Sequence, residues 1–249
     1  MLIDAHSHFN DLKDPVNALE RATKNRVEKV VSNSVDWKSN QQNHKISQEL
    51  DCIHPCFGLH PKNCLEQTQS KNQKTIEWIQ KQFEEKTKAS IGETGLDFLR
   101  VENAFQRKIQ EKWFEQQLEI AKQFQKPISI HCRQAIPRAI EIVTQKKIEK
   151  ALFHWFDGTP TELETICSNG YLVSIGPSVL TQQKIQKIAQ NVELDHLVLE
   201  TDAPIQFNGK KAEPAWIRTV ATKIAAIRSE SFKKIAHSTT QNAIRFFEL

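Results

Sequence analysis

A (β/α)8 barrel of TIM type, forming a single domain over residues 1–249, is the fold that the sequence predicts, and three observations predict it. The chain has 249 residues, and a β/α barrel needs about 250. Short apolar or β-branched runs alternate with longer amphipathic stretches from end to end. The polar residues best suited to chemistry stand at, or just after, the ends of the short runs.

Strands are expected at Leu2–His6, Lys29–Ser32, Ile53–Phe57, Ala89–Glu93, Ile128–His131, Ala151–Trp155, Leu172–Ile175 and Leu197–Glu200. Helical stretches separate them. In the fourth, Phe105, Ile109, Trp113, Ile120 and Phe124 fall near one stripe of a 3.6-residue helix, which Pro127 ends. Near the C-terminus Trp216, Val220, Ile224 and Ile227 repeat the pattern, with Pro214 suited to a first turn. Strand then helix, repeated about eight times, is the pattern of a parallel sheet closed by its helices. An open doubly wound sheet would have fewer strands and a Gly-rich first turn, whereas the first turn here is His-Ser-His. No Pro/Gly/Ser-rich linker divides the chain.

A hydrophobic fraction of 39% with 26% charged residues belongs to a soluble protein with a sizeable core. The net charge of +4 favours anionic partners only weakly. The opening Met-Leu-Ile-Asp-Ala-His has neither the basic region nor the apolar stretch of a signal peptide. No apolar run nears the roughly 18 residues needed to cross a bilayer. Five cysteines, an odd count, fit reduced thiols in a cytosol. A cytoplasmic protein without membrane contact, acting as a monomer, is expected. Cys52, Cys56, His60 and Cys64 recur every fourth residue, but Pro55, Gly58 and Pro61 interrupt any helix that could align them as a zinc site.

The informative polar residues are His6, His8, His60, Glu93, Asp97, His131, His154 and Asp202. In a β/α barrel the strand ends meet on one face, and that face carries the chemistry. In Asp4-Ala-His-Ser-His8, alternation would turn Asp4, His6 and His8 toward the axis. An unpaired buried polar group costs about 1–3 kcal/mol, and a cation bound by both imidazoles would remove that cost. Glu93 stands between Gly92 and Gly95, which permit backbone conformations or close approaches closed to other residues. A carboxylate there, beside several histidines, suits a bridge between two divalent ions. His131 and His154 each end an apolar strand, and Asp202 follows the eighth. A buried strand closing on Glu-Thr-Asp packs poorly unless something cationic sits there. His44, His196 and His237 read as structural or surface residues.

With these residues assembled, the chain resembles the TatD family of metal-dependent deoxyribonucleases, among the amidohydrolase-like metallo-barrels. The resemblance is carried by D-A-H-S-H at the start, F-G-L-H-P at 57–61, I-G-E-T-G-L-D-F at 91–98, F-E-Q-Q-L-E-I-A at 114–121, P-I-S-I-H-C-R-Q-A at 127–135 and E-T-D-A-P at 200–204. It implies that His6, His8, Glu93 and Asp202 hold one metal, and Glu93, His131 and His154 the other. It makes His60 and Arg133 substrate-facing. The chain departs from the family's pattern at His154-Trp155-Phe156-Asp157-Gly158, where a small residue often follows the histidine. It departs again at Gly209-Lys210-Lys211-Ala212-Glu213-Pro214, where Arg-Asn is common. Lysine keeps the charge and loses the bidentate fork. Both departures fall on the substrate side.

The expected reaction is 3′-5′ exonucleolytic cleavage of single-stranded DNA, with a role in DNA repair. Two ions about 3.5–4 Å apart would activate a water to attack phosphorus. Asp202 would ligate and take the water's proton, Glu93 would bridge, and Asp97, Arg133, Lys210 and Lys211 would face substrate. Trp155, Phe156, Phe98 and Phe207 are candidates to stack on bases or to wall the cavity. The donor set suits zinc, manganese, iron or nickel better than calcium, with magnesium a further candidate. Ligand spacing leaves open a carboxylic ester, amide or lactone substrate, including aminoacyl esters on tRNA. A catalytically silent binding barrel would lack a ligand, and none of the six is lacking.

Overall fold

The computed structural model describes residues 1–249. Eight parallel strands form one sheet in sequence order: β1 Leu2–Ser7, β2 Val27–Asn33, β3 Ile53–Phe57, β4 Ser90–Asp97, β5 Ile128–Arg133, β6 Ala151–Phe153, β7 Leu172–Ile175 and β8 Leu197–Leu199. The main helices after them are Pro15–Lys24, Trp37–Glu49, Gln69–Glu84, Ala104–Phe124, Ile136–Gln145, Pro160–Ser168, Gln183–Asn191 and Ile217–Arg228. A last helix, Phe232–Phe247, packs back on β1 and β8. This is the expected (β/α)8 barrel. No helix is long and apolar enough to cross a membrane.

The starts of the helices are written locally. Asp36 and Ser39 close a capping box ahead of Trp37–Glu49, and Thr159 and Glu162 do the same ahead of Pro160–Ser168. Tertiary packing then chooses the faces. Phe105, placed on the apolar stripe of its helix by periodicity, is 69% exposed. The buried face of Ala104–Phe124 instead includes Gln110 and Gln117 beside Trp113, Phe114 and Leu118. Gln117 bonds both backbone groups of Leu59 and the Thr94 hydroxyl, while Gln110 bonds both backbone groups of Asp97. Two buried amides thus brace the ends of β3 and β4, satisfying backbone groups that a leucine would leave unpaired.

One apolar cluster joins Ile3, Ala5, Val31, Cys56, Leu152, Leu172 and Val198 with Phe246 and Phe247. Its strand residues come from six strands, so it fills the interior of the ring. A larger cluster of 51 residues binds the ring to its helices. Strict alternation does not hold along β1, whose register against β2 shifts between Asp4 and Ser7. Asp4 therefore does not join the histidines. Fully buried, it accepts the Thr201 backbone N–H at 2.9 Å and the Thr201 hydroxyl. The Asp202 N–H donates to the His6 carbonyl at 2.9 Å, and the His8 N–H to the Ala203 carbonyl at 2.6 Å. These bonds link the first strand to the segment after the last and carry Asp202 to His6 and His8.

β4 runs four residues beyond the expected end at Glu93, and every residue in it is buried. Gly92 (φ 145°) and Gly95 (φ 133°) make that possible. A Cβ on Gly95 would overlap the His131 carbonyl oxygen, so only glycine lets β4 lie this close to β5. Conversely, β6 stops at Phe153, and Trp155 takes a left-handed φ of 46° instead of continuing the strand.

Candidate metal centre

Glu93, 3% exposed, is the hub, and its two oxygens face different histidines. Oε2 lies 3.6 Å from His6 Nε2 and 3.3 Å from His8 Nε2. Oε1 lies 2.9 Å from both His131 Nδ1 and His154 Nε2, and 3.4 Å from His60 Nε2. Asp202 Oδ1 lies on the Oε2 side, 3.3 Å from His8 Nε2 and 3.9 Å from His6 Nε2. The six expected ligand side chains therefore converge from β1, β4, β5 and the segments just past β1, β6 and β8.

Hydrogen bonds behind the rings decide which nitrogen each one offers. His8 Nδ1 donates to the Asn33 carbonyl at 3.0 Å, which leaves the Nε2 lone pair for the cavity. His60 is wired the opposite way. Its Nδ1 accepts the Lys62 backbone N–H at 3.0 Å, so the neutral ring carries its hydrogen on Nε2 and faces the cavity as a donor. His131 Nε2 lies 3.4 Å from Asp97 Oδ2, and Asp97 in turn lies 3.3 Å from Arg100 Nε.

Burial works against every charge in this cluster, and the ion pairs oppose it. His154 is held up at about 10 by Glu93 and Glu200 despite its burial. His8 is likewise raised by Asp202 and Glu93, and His131 by Asp97 and Glu93. Against the same burial, His60 and His154 hold Glu93 well below the carboxylate range, and His8 lowers Asp202. His6 is pushed down by burial and by His154. The carboxylates thus draw positive charge into the site.

A divalent cation fits what is there. His6 Nε2 is buried without a hydrogen-bond partner and faces Glu93 and Asp202. Donor atoms of His6, His8 and Glu93 lie within 4.8 Å of one another, and His131 Nδ1 and His154 Nε2 both lie 2.9 Å from Glu93 Oε1. Imidazole with carboxylate is the donor chemistry of zinc and its first-row neighbours. No cysteine joins such a group, and all five cysteines are free.

The centre floors a cavity of about 520 Å³. Asp97, Arg133 and Trp155 line it beside the histidines, as the sequence suggests for substrate-facing groups. Lys210 and Lys211 do not. They are exposed on a two-stranded hairpin, β9 Gln206–Phe207 with β10 Lys210–Lys211, and are not among the residues lining the cavity. Of the other aromatics, Phe156 is buried in the core, Phe98 packs against that core under Arg107, and Phe207 stays on the hairpin. His196 bonds the Tyr171 carbonyl and His44 bonds Gln48, both outside the cavity, and His237 is exposed. Sequence reasoning missed Lys62, Arg100 and Gln182 in the lining. A cation two residues after His60 and one three residues after Asp97 were the available signals.

The sequence profile of the TatD related DNase family matches residues 3–248. The chain is 30% identical over 260 residues to the uncharacterized metal-dependent hydrolase YabD of Bacillus subtilis, spanning 100% of both. It is 30% identical over 262 residues to the deoxyribonuclease TATDN3 of Homo sapiens, covering 99% of this chain and 94% of that protein. Similarity to the 3′-5′ ssDNA/RNA exonuclease TatD of Erwinia tasmaniensis is 28% over 251 residues, 95% of each. Among solved structures, the TatD homolog YJJV of Escherichia coli superposes with a TM-score of 0.90 at 21% identity, covering 100% of this chain and 98% of that one.

Proposed function

The chain belongs to the TatD related DNase family of metal-dependent hydrolases, and from that premise we propose that it is a 3′-5′ exonuclease acting on single-stranded DNA through two divalent cations. One observation carries the reading. The two oxygens of Glu93 face separate sets of imidazoles, with Asp202 closing the first set. A carboxylate so placed would serve both of two divalent cations. His6, His8 and Asp202 would hold one, His131 and His154 the other. Four carboxylates, Glu93, Asp97, Glu200 and Asp202, crowd the imidazoles here, and two divalent cations would take the place of the positive charge they draw in.

When bound, such ions lower the pKa of a coordinated water toward neutrality and polarise a phosphoryl oxygen. The protein supplies the rest. Asp202, partly exposed on the cavity floor, would accept a proton at its carboxylate. His60 presents a fixed Nε2–H to a phosphoryl oxygen. Arg133, Arg100 and Lys62 give the cavity a cationic edge suited to a phosphodiester, which favours phosphorus over a carboxyl ester as the centre attacked. Trp155 offers a face on which a terminal base can stack. The relatives named deoxyribonuclease and 3′-5′ ssDNA/RNA exonuclease support the same substrate class.

The test is digestion of 3′- and 5′-labelled single-stranded oligonucleotides, with and without divalent ions, beside Glu93→Gln and a carboxyl-ester control. Stepwise shortening from the 3′ end that chelator and Glu93→Gln abolish is expected. Equal activity of mutant and wild type, or hydrolysis of the ester alone, sinks the reading.

A further inference from the structure

Glu200, the residue directly after β8, is fully buried and is not one of the six side chains expected to hold cations. Its Oε2 accepts the Ser174 hydroxyl at 2.6 Å, and its Oε1 accepts the Trp155 backbone N–H at 2.7 Å. Nδ1 of His154 lies 3.6 Å from the same Oε2 and has no hydrogen-bond partner of its own. On the other side of that ring, Nε2 faces Glu93 Oε1 at 2.9 Å. His6 stacks on the face of His154 and cannot bond its edge.

A neutral imidazole has one N–H and one lone pair. A carboxylate beside Nδ1 keeps the hydrogen there and leaves the Nε2 lone pair for the cavity, as partners behind metal-binding histidines do. The same carboxylate, with Ser174 Oγ at 3.0 Å, holds the N–H of Trp155 in its left-handed turn. Donor atoms of His6, His154 and Glu200 do come within 4.8 Å of one another. Each oxygen of Glu200 already accepts one hydrogen bond, from Ser174 or Trp155, and Oε2 keeps a second lone pair toward His154 Nδ1.

We propose that Glu200 is the positioning residue of this centre, holding His154 with Nδ1 protonated and Nε2 free for a cation while fixing the Trp155 turn against which substrate lies. This rests on the metal-centre reading above. The isosteric Glu200→Gln separates the role from mere packing. The Trp155 N–H cannot reverse, so the amide oxygen must stay opposite it and the NH2 group must face His154. Nδ1 can then only accept, which moves the hydrogen to Nε2 and blocks that nitrogen as a ligand. The Ser174 hydroxyl can rotate to accept from the same NH2, so the fold loses little.

The experiment uses full-length protein with 15N-labelled histidine, loaded with Zn2+ alone. Two-bond 15N–1H correlations report which nitrogen of His154 carries hydrogen, its signals being assigned by their loss in His154→Gln. Wild type is expected to show hydrogen on Nδ1. Glu200→Gln is expected to bind Zn2+ about 10–100-fold more weakly in a chelator competition, with the melting temperature of the metal-free protein nearly unchanged. Hydrogen on Nε2 in zinc-loaded wild type overturns the proposal whether or not the variant folds. So does Glu200→Gln binding Zn2+ as tightly as wild type. Wild type that binds no Zn2+ overturns the metal-centre reading itself, and this proposal with it.

Discussion

The imidazole of His6 lies flat on that of His154, ring centroids 3.8 Å apart and planes 5° from parallel. One ring comes from the first strand and the other from just past the sixth, so the stack sets the spacing across the mouth of the barrel. Two imidazolium rings would repel each other in that contact. Burial and His154 push the pKa of His6 down, while Glu93 and Glu200 raise that of His154 against its burial. Each presents Nε2 to a different oxygen of Glu93.

Bound metal should stabilise the fold, because His6 Nε2 and its neighbours have no equivalent partner in an unfolded chain. Zn2+ at a hundredfold excess over its Kd contributes about 2.7 kcal/mol, or roughly 5–10 °C in melting temperature for a chain of this size. Scanning fluorimetry with zinc against excess chelator reads it directly. His6→Phe keeps the stack and removes the donor, so the zinc-dependent gain, read against the variant's own metal-free melting temperature, should shrink. That baseline should itself fall with the lost bond between His6 Nδ1 and Ser129 Oγ. A wild type that melts alike in both conditions contradicts the site.

Substrate affinity should depend on the cavity's cations and not on the hairpin lysines. Arg133 lines the cavity, whereas Lys210 and Lys211 do not. Arg133→Ala is expected to weaken single-stranded DNA binding about 10–100-fold, the value of a charge-assisted contact of about 1.5–3 kcal/mol. Its log–log salt slope should fall by about 0.7 for the phosphate lost. The double variant Lys210→Ala/Lys211→Ala should stay within about twofold, as surface changes do. Fluorescence anisotropy across a salt series decides, and the reverse ranking would move the binding track to the hairpin.

Trp155 should matter for oligonucleotides and not for a small diester. A base stacked on an aromatic side chain is worth about 1–3 kcal/mol, so Trp155→Ala should raise KM for a short oligonucleotide at least about fivefold. Hydrolysis of bis(p-nitrophenyl) phosphate, which has no nucleobase, should change little. Equal losses on both substrates would mean that the indole only walls the cavity.

Acid sensitivity should arise partly at the other end of the barrel. His54 on β3 bonds the Ser90 hydroxyl at 2.8 Å, and burial, helped by Lys126 and Lys29, lowers its pKa from 6.5 to about 4. Between those values the unfolded chain binds the proton and the folded chain does not, so stability is lost as pH falls from about 6.5 toward 4. The loss should reach up to about 3 kcal/mol. Urea unfolding of wild type and His54→Gln should therefore show their difference shrinking by that amount from neutral pH to the acid end. A difference that stays constant would refute the role of His54.

Most of the barrel could be read from the sequence. All eight expected strands overlap observed ones, because a strand buried on both faces must be a short apolar run wherever it sits. The convergence of His6, His8, Glu93, His131, His154 and Asp202 was legible for a related reason. Polar residues at the ends of such runs have nowhere to go but the common rim. The glycines beside Glu93 also signalled an unusual backbone, which β4 shows at Gly92 and Gly95.

What local pattern could not supply was decided by partners distant in the chain. Phe105 lies on an apolar stripe and still faces solvent, while Gln110 and Gln117 are buried because backbone groups of Leu59 and Asp97 need donors and acceptors. Asp4 left the histidines because β1 shifts register and Thr201 receives it. Lys210 and Lys211, expected as phosphate contacts, stand exposed on the hairpin outside the cavity lining, whereas Arg100 and Lys62 line it. Residue type and spacing fix which groups are costly to bury; only the folded chain fixes which neighbour removes that cost, since hydrogen bonds and ion pairs depend on distances of a few ångströms between residues far apart in sequence.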